Sequence, residues 1–378
     1  MEVIIEPFGT LFNKSVFTFS IQVPGGISVE FTNIGAAISR VVIPAKSTSP
    51  STGGFEASEA ERQICLGFDS AEEYRDNPPF FGVTVGPVAN RISLAKFSLH
   101  GKTYELEAND GEHCLHSGPD CTLAYKVFDS QVYESDDVAG VVFTYGRPDG
   151  EGGFPGNAEF QAAYWVTGSN EIIIDYRATT DGETPINLTN HSYWNLNGEG
   201  KGLVYDHQMQ ILSDSYLPVD DTFIPTGEIR PVSRDQGIMD FRQPKLIGKD
   251  IDETDSGYDH CYILNPAAPL WQSPEPSQTL LPEFQEVLDR CAQVRHAATA
   301  QVSGLSMEVY TNQPAVQFYS GNMLKGVIGR KGLAHTPRTA FCLETAGYNN
   351  ACNQPQFPSW NVKPGQVYTK TTVHRFLW

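Results

Sequence analysis

The run PINLTNHSYWNL, residues 185–196, packs one histidine, three asparagines, three hydroxyl residues and two aromatics into a short stretch. It has no helical apolar period, so it reads as a strand end and a loop. Asn187, Asn190 and Asn195 each donate and accept hydrogen bonds, while Tyr193 and Trp194 offer flat apolar faces. A floor of aromatics with an amide and imidazole rim suits a small polyhydroxylated ligand. His191 stands in the middle, and an unperturbed pKa near ~6.5 lets it give or take a proton at neutral pH. The same asparagines would also serve a loop that only satisfies its own backbone, and both readings stand at this point.

Other residues with chemical potential are scattered. Glu344 sits inside the apolar run FCLET, where a carboxylate is costly to bury unless it is paired or poised for chemistry. Asn90 and Arg91 follow small and aromatic residues in FFGVTVGPVANRI, 80–92. An arginine among apolar neighbours either clamps the fold or holds ligand hydroxyls with its planar fork. His113 and His116 lie three apart, but no third ligand at suitable spacing supports a metal, and a hydrogen-bonding role for His116 fits better. Asp259 enters the strand-like run GYDHCYIL, 257–264, where spacing alone favours a turn residue.

These residues need a scaffold, and the chain spells a β one. Short β-branched and aromatic runs recur from end to end, among them VFTFSIQV (16–23), ISVEFTNI (27–34), EIIIDYRATT (171–180), LSMEVYT (305–311) and QVYTKTTVHRFLW (366–378). The 34 glycines and 25 prolines are spread along the chain, as many strands joined by turns require. Gly82 and Gly86 mark close approach of backbone or ligand. AEEYRDN (71–77) fits one helical turn, and LPEFQEVLDR (281–290) is the best helix candidate. Residues 46–63 read as a surface loop and 265–290 as a surface insertion into one domain spanning 1–378. The expected fold is all-β, a large antiparallel β-sandwich with very little helix.

A net charge of −19 repels phosphate backbones and anionic membranes, so neither nucleic acid nor membrane is an expected partner. No stretch approaches the ~18 apolar residues of a membrane span, and the opening MEVIIEPFGT lacks a signal-peptide pattern. Seven irregularly spaced cysteines without a CxxC fit reduced thiols and a cytoplasmic location, not a zinc site or a disulfide framework. GxGxxG, P-loop, HExxH and GxSxG runs are all lacking, so nucleotide use, zinc proteolysis and serine hydrolysis have no support.

Eight runs in order resemble the aldose 1-epimerase (galactose mutarotase) family: CLGFDS, FFGVTVGPVANRI, LHSG, GGFPGN, PINLTNHSYWNLNG, GYDHCYIL, PAVQFYSGN and AFCLETAGYNNACNQPQFPSW. The resemblance implies a β-supersandwich with an open sugar cleft. It also implies interconversion of the α and β anomers of a free hexose, such as galactose or glucose, without metal or organic cofactor. By the same resemblance His191 matches the general acid and Glu344 the general base. Asn90, Arg91, His116, Asp259 and Gln317 match sugar-binding positions. The acid and base are expected to face each other across a space the size of a pyranose, with nearby carboxylates raising the His191 pKa. A monomer or a homodimer is expected. Pro87, Ser117 and Ala346 depart from the family's common arginine, glycine and glutamine, and CTLAYK (121–126) replaces an aromatic-containing run. These departures bear on sugar preference more than on proton transfer. The competing readings are a silent carbohydrate-binding module, and a relative acting on a sugar phosphate or a non-sugar metabolite.

Overall fold

A computed structural model describes residues 1–45, 61–254, 256–272 and 281–378. The expected loop at 46–63 lies outside the described residues up to residue 60, and Arg62–Gln63 pair as a short strand with Ala37–Ile43.

Period-two alternation organises the centre. A nine-stranded antiparallel sheet runs Asp129–Glu134, Val138–Arg147, Ala158–Thr167, Glu171–Thr180, Tyr368–Leu377, Leu305–Thr311, Arg295–Val302, Gln208–Ile211, Lys245–Leu246. In Ala158–Thr167, Phe160, Ala162, Tyr164 and Val166 point to one face, and Ala163 and Trp165 to the other. Both faces are therefore buried, which explains why these strands read as nearly continuous apolar runs.

Two five-stranded sheets cover the first face. Val3–Leu11, Lys14–Gln22, Ser28–Thr32, Ala37–Ile43 and Arg62–Gln63 form one, and its Phe19 and Phe31 pack on Phe143 and Tyr164. Arg230–Pro231, Ser213–Leu217, Asp259–Leu264, Ala315–Tyr319 and Cys342–Ala346 form the other. Its Tyr262, Val316, Phe318 and Leu343 join the same apolar cluster. The fold is thus the expected all-β layered sandwich, and the helix content is small.

The helix Pro282–Cys291 lies on the opposite face of the large sheet. Phe284, Val287 and Cys291, spaced i, i+3, i+7, face Trp165, with the rings of Phe284 and Trp165 5.2 Å apart. Arg290 makes a two-pronged contact with the buried Asp175 at 2.9 and 2.7 Å. This part of the 265–290 segment is docked on the sheet and does not stand off in solvent; residues 273–280 lie outside the described residues. No helix among the described residues is long and apolar enough to cross a membrane, and all seven cysteines are free.

Candidate active site

Three adjacent strands of the second five-stranded sheet turn one face away from the core. Alternation puts Asp259 and Cys261, Gln317 and Tyr319, and Cys342, Glu344 and Ala346 on that face. The register sets Gln317 beside Glu344 and Asp259 beside Tyr319. Three polar residues distant in sequence thereby share a floor whose underside is the apolar core.

The 185–196 run borders this floor. Trp194 and Phe341 exchange backbone hydrogen bonds of 2.7 and 3.0 Å in an antiparallel bridge. Three residues back from Trp194 is His191, and three onward from Phe341 is Glu344, so antiparallel pairing makes them cross-strand neighbours. His191 Nε2 and Glu344 Oε1 approach to 3.5 Å. The acid and base candidates are side by side on the floor, not opposed across a ligand-sized gap as expected, because the two segments that carry them are adjacent.

The wall comes from two small ladders, Thr84–Val85 with Thr189–Asn190 and Arg91–Ile92 with Cys114–Leu115. Asn90 and His116 both take positive φ, +60° and +53°, and exchange contacts. The His116 N–H donates to the Asn90 carbonyl, and the Asn90 N–H donates to His116 Nδ1 at 3.1 Å. His116 Nδ1 is therefore an acceptor, and its remaining proton sits on Nε2. Arg91 Nε donates to Asp110 Oδ2 at 2.7 Å, and the guanidinium lies 4.9 Å from the Phe223 ring centroid.

A cavity of about 660 Å³ is lined by Asn90, Arg91, His116, His191, Asp259 and Glu344, with Tyr193, Tyr319 and Phe80 among its aromatic surfaces. Six of the seven expected site residues thus meet in one cleft. Gln317 is not among its lining residues; on the same floor face, beside Glu344, its Nε2 donates to Asp259 Oδ1 at 2.6 Å. The asparagines of the 185–196 run turn away. Asn187 accepts from the Gly347 N–H, Asn190 donates to the Gly82 carbonyl, and Asn195 donates to the Gly202 and Thr339 carbonyls. Trp194 is in the core. Of that run only His191 and Tyr193 face the cavity.

Burial sets the electrostatics. It pushes the Glu344 carboxyl well above its ordinary value, with the Asp259 charge adding and Arg91 opposing. It pushes His191 down to about 4, against the expectation that carboxylates would raise it, because desolvation of the imidazolium outweighs the one opposing contribution, a backbone hydrogen bond. His116 is held well below its ordinary value by burial, then by His191 and Arg91. Asp259 is raised by burial, with Arg91 and the Gln317 hydrogen bond pulling the other way.

Among the described residues, His191, Cys342 and Glu344 form the one group of three close metal-donor atoms. Cys342 Sγ lies 3.6 Å from His191 Nδ1, whereas Glu344 approaches Nε2. The two partners meet opposite edges of a ring that offers one lone pair when neutral, so the trio is not arranged to close on one ion.

The family model for aldose 1-epimerases matches residues 18–375. The chain belongs to the aldose 1-epimerase family. It is 41% identical over 313 residues to the galactose mutarotase of Sus scrofa, covering 82% of each chain. It is 33% identical over 333 residues to the aldose 1-epimerase of Escherichia coli K12, covering 84% of this chain and 85% of that one. An aldose epimerase homologue from C. elegans superposes with a TM-score of 0.77 at 28% identity, covering 94% of this chain and 97% of that one.

For an aldose 1-epimerase family member the three departures carry little toward the cavity. Pro87, Ser117 and Ala346 do not line it. Ser117 Oγ instead stitches the Val88 backbone, accepting from its N–H and donating to its carbonyl. Sequence reading missed Phe80, which meets His116 edge-on at 4.6 Å and stacks on His191 at 6.0 Å, at a φ of +62°. It also missed the rim from Met323 to Ile328 and Asp110, which holds Arg91. The one signal for Phe80 and the rim was proximity in sequence to Gly82 and Gln317, which does not reveal direction.

Proposed function

We propose that this protein is an aldose 1-epimerase that interconverts the α and β anomers of a free hexose such as galactose or glucose. The observation that carries the reading is the buried Glu344–His191 pair at 3.5 Å on the floor of a cleft with room for a sugar. Both oxygens that must exchange protons, the C1 hydroxyl and the ring oxygen, are bonded to the same carbon. Two neighbouring groups on one floor therefore serve them together.

Glu344 takes the proton of the C1 hydroxyl, and His191 gives one to O5 as the C1–O5 bond breaks and its electron pair moves to O5. C1 becomes the aldehyde carbon, rotates about C1–C2, and the ring closes by the reverse transfers onto the other face. The cycle visits both proton placements: carboxylate with imidazolium before opening, carboxylic acid with neutral imidazole after it. Burial favours the second. Arg91 and the Nε2 proton of His116 steady the oxygens as charge develops, and Asp259 holds hydroxyls farther from C1.

A free sugar fits better than a phosphorylated one. Glu72, Glu73, Asp76, Asp259 and Glu344 line the cavity against Arg91 and Lys325, an excess of acid that a phosphate would meet unfavourably. Polarimetry of freshly dissolved α-D-galactose and α-D-glucose tests the reading. Glu344→Gln and His191→Asn should each lower kcat by roughly 10²–10⁴ with folding intact. Near-wild-type rates in either variant remove that residue from the mechanism, and a silent wild-type protein returns the chain to the binding-module reading.

A further inference from the structure

Gln317 donates to Asp259 across the floor face, and something must hold Gln317 itself. Its side-chain oxygen accepts a hydrogen bond of 2.9 Å from Asn349 Nδ2. Asn349, Gln317 and Asp259 are all buried, at 4%, 6% and 8% exposure. We propose that Asn349 is a positioning residue for sugar binding, fixing the amide orientation of Gln317 so that Gln317 donates to Asp259 and aims that carboxylate into the cleft.

The direction of each bond follows from the inventory of donors and acceptors. An ionised carboxylate only accepts, so Gln317 must present its NH₂ to Asp259 Oδ1 at 2.6 Å. That leaves the Gln317 carbonyl oxygen pointing the other way, into the protein, where it needs a donor. Asn349 supplies it. An acceptor at position 349 would reverse the preference: Gln317 would turn its NH₂ toward residue 349 and its carbonyl oxygen toward Asp259, setting oxygen against oxygen. Buried chains of this kind are all-or-none, since a half-satisfied chain leaves a desolvated polar atom unpaired.

Asn349 is placed for this by the turn after the strand Cys342–Ala346. That strand ends on Ala346, and Asn349 follows three residues later. The Gln317 bond also favours the charged form of Asp259 against burial, so the relay affects how readily Asp259 accepts hydroxyl protons as well as where it points.

The role for Asp259 in holding the sugar rests on the mutarotase reading, and the test separates the two. Asn349→Asp is nearly isosteric and converts the donor to an acceptor; Asn349→Leu removes the polar group and stands in should the first fail to fold. Steady-state polarimetry on D-galactose and D-glucose should show KM raised about tenfold with kcat within about twofold of wild type, the pattern of lost uniform binding. In protein labelled with ¹³C at aspartate carboxyls, Asp259 should titrate at higher pH in either variant than in wild type. Unchanged KM together with an unchanged Asp259 titration overturns the proposal, as does a fall in kcat at constant KM. If the unaltered protein shows no mutarotation, the functional reading fails, while the Asp259 titration still decides whether Asn349 acts through Gln317.

Discussion

At the scale of single residues, the site is a matter of how many protons the Glu344–His191 pair holds. Burial drives both groups toward their neutral forms, raising the carboxyl and lowering the imidazole to about 4. Between the ionisation of His191 and the raised ionisation of Glu344 the pair then holds one proton, which is the number the proposed double transfer requires. Activity falls on the acid side when His191 takes a second proton, and on the alkaline side when Glu344 loses the first. The kcat/KM profile, which reports the free enzyme, should show its acid limb near pH 4 and an alkaline limb above the ordinary carboxylate range. An acid limb near ~6.5 would mean that His191 ionises as it does in water and that burial does not govern the pair. The family resemblance singled out His191, Glu344, Asn90, Arg91, His116 and Asp259, which share one cleft, whereas spacing alone read Asp259 as a turn residue and left Arg91 open. Gln317 was singled out in the same way, but a strand position does not say that its amide would be spent on Asp259.

At the scale of elements, the close approaches do the positioning. Gly82 has a φ of +70°, and a Cβ there would lie 2.0 Å from the Ile38 carbonyl oxygen. Its N–H donates to the His191 carbonyl, and its own carbonyl accepts from Ile38 and Asn190. One glycine thus ties the first sheet to the segment carrying His191, with no room for a side chain. Gly82→Ala should cost at least ~2 kcal/mol of stability, through positive-φ strain and backbone displacement, and should lower kcat as well. Denaturant unfolding and polarimetry check the two effects. A variant with wild-type midpoint and rate would show that the approach is not needed. The alternating strands were readable by period, and so was Gly82 as a punctuation mark. The Trp194–Phe341 bridge was not, since pairing between segments almost 150 residues apart leaves no local signal.

At the scale of the whole molecule, the layering buries an unusual number of imidazoles. His191, His207, His260 and His374 are each held down to about 4 by desolvation, His116 is held well below its ordinary value, and His296 is lowered as well. In the unfolded chain each titrates near ~6.5, so between about 6.5 and 4 the unfolded state binds more protons and stability falls as pH falls. Glu344 and Asp259, raised in the folded state, act in the opposite sense, but they are two carboxyls against six imidazoles. The melting temperature should therefore drop steadily from pH 7.5 to pH 5, as scanning calorimetry would record. A constant or rising value would contradict the burial assignments. Composition, alternation and motif order by themselves determined the all-β class, the family and the residue types of the site, because those are written in local pattern and in side-chain chemistry. Only the tertiary structure decided that acid and base are neighbours, that the asparagines around His191 serve the backbone, and that Asn349, Gln317 and Asp259 are joined by hydrogen bonds. Each of these depends on strand register and on which face of a strand meets solvent, and both are set by pairing with distant segments.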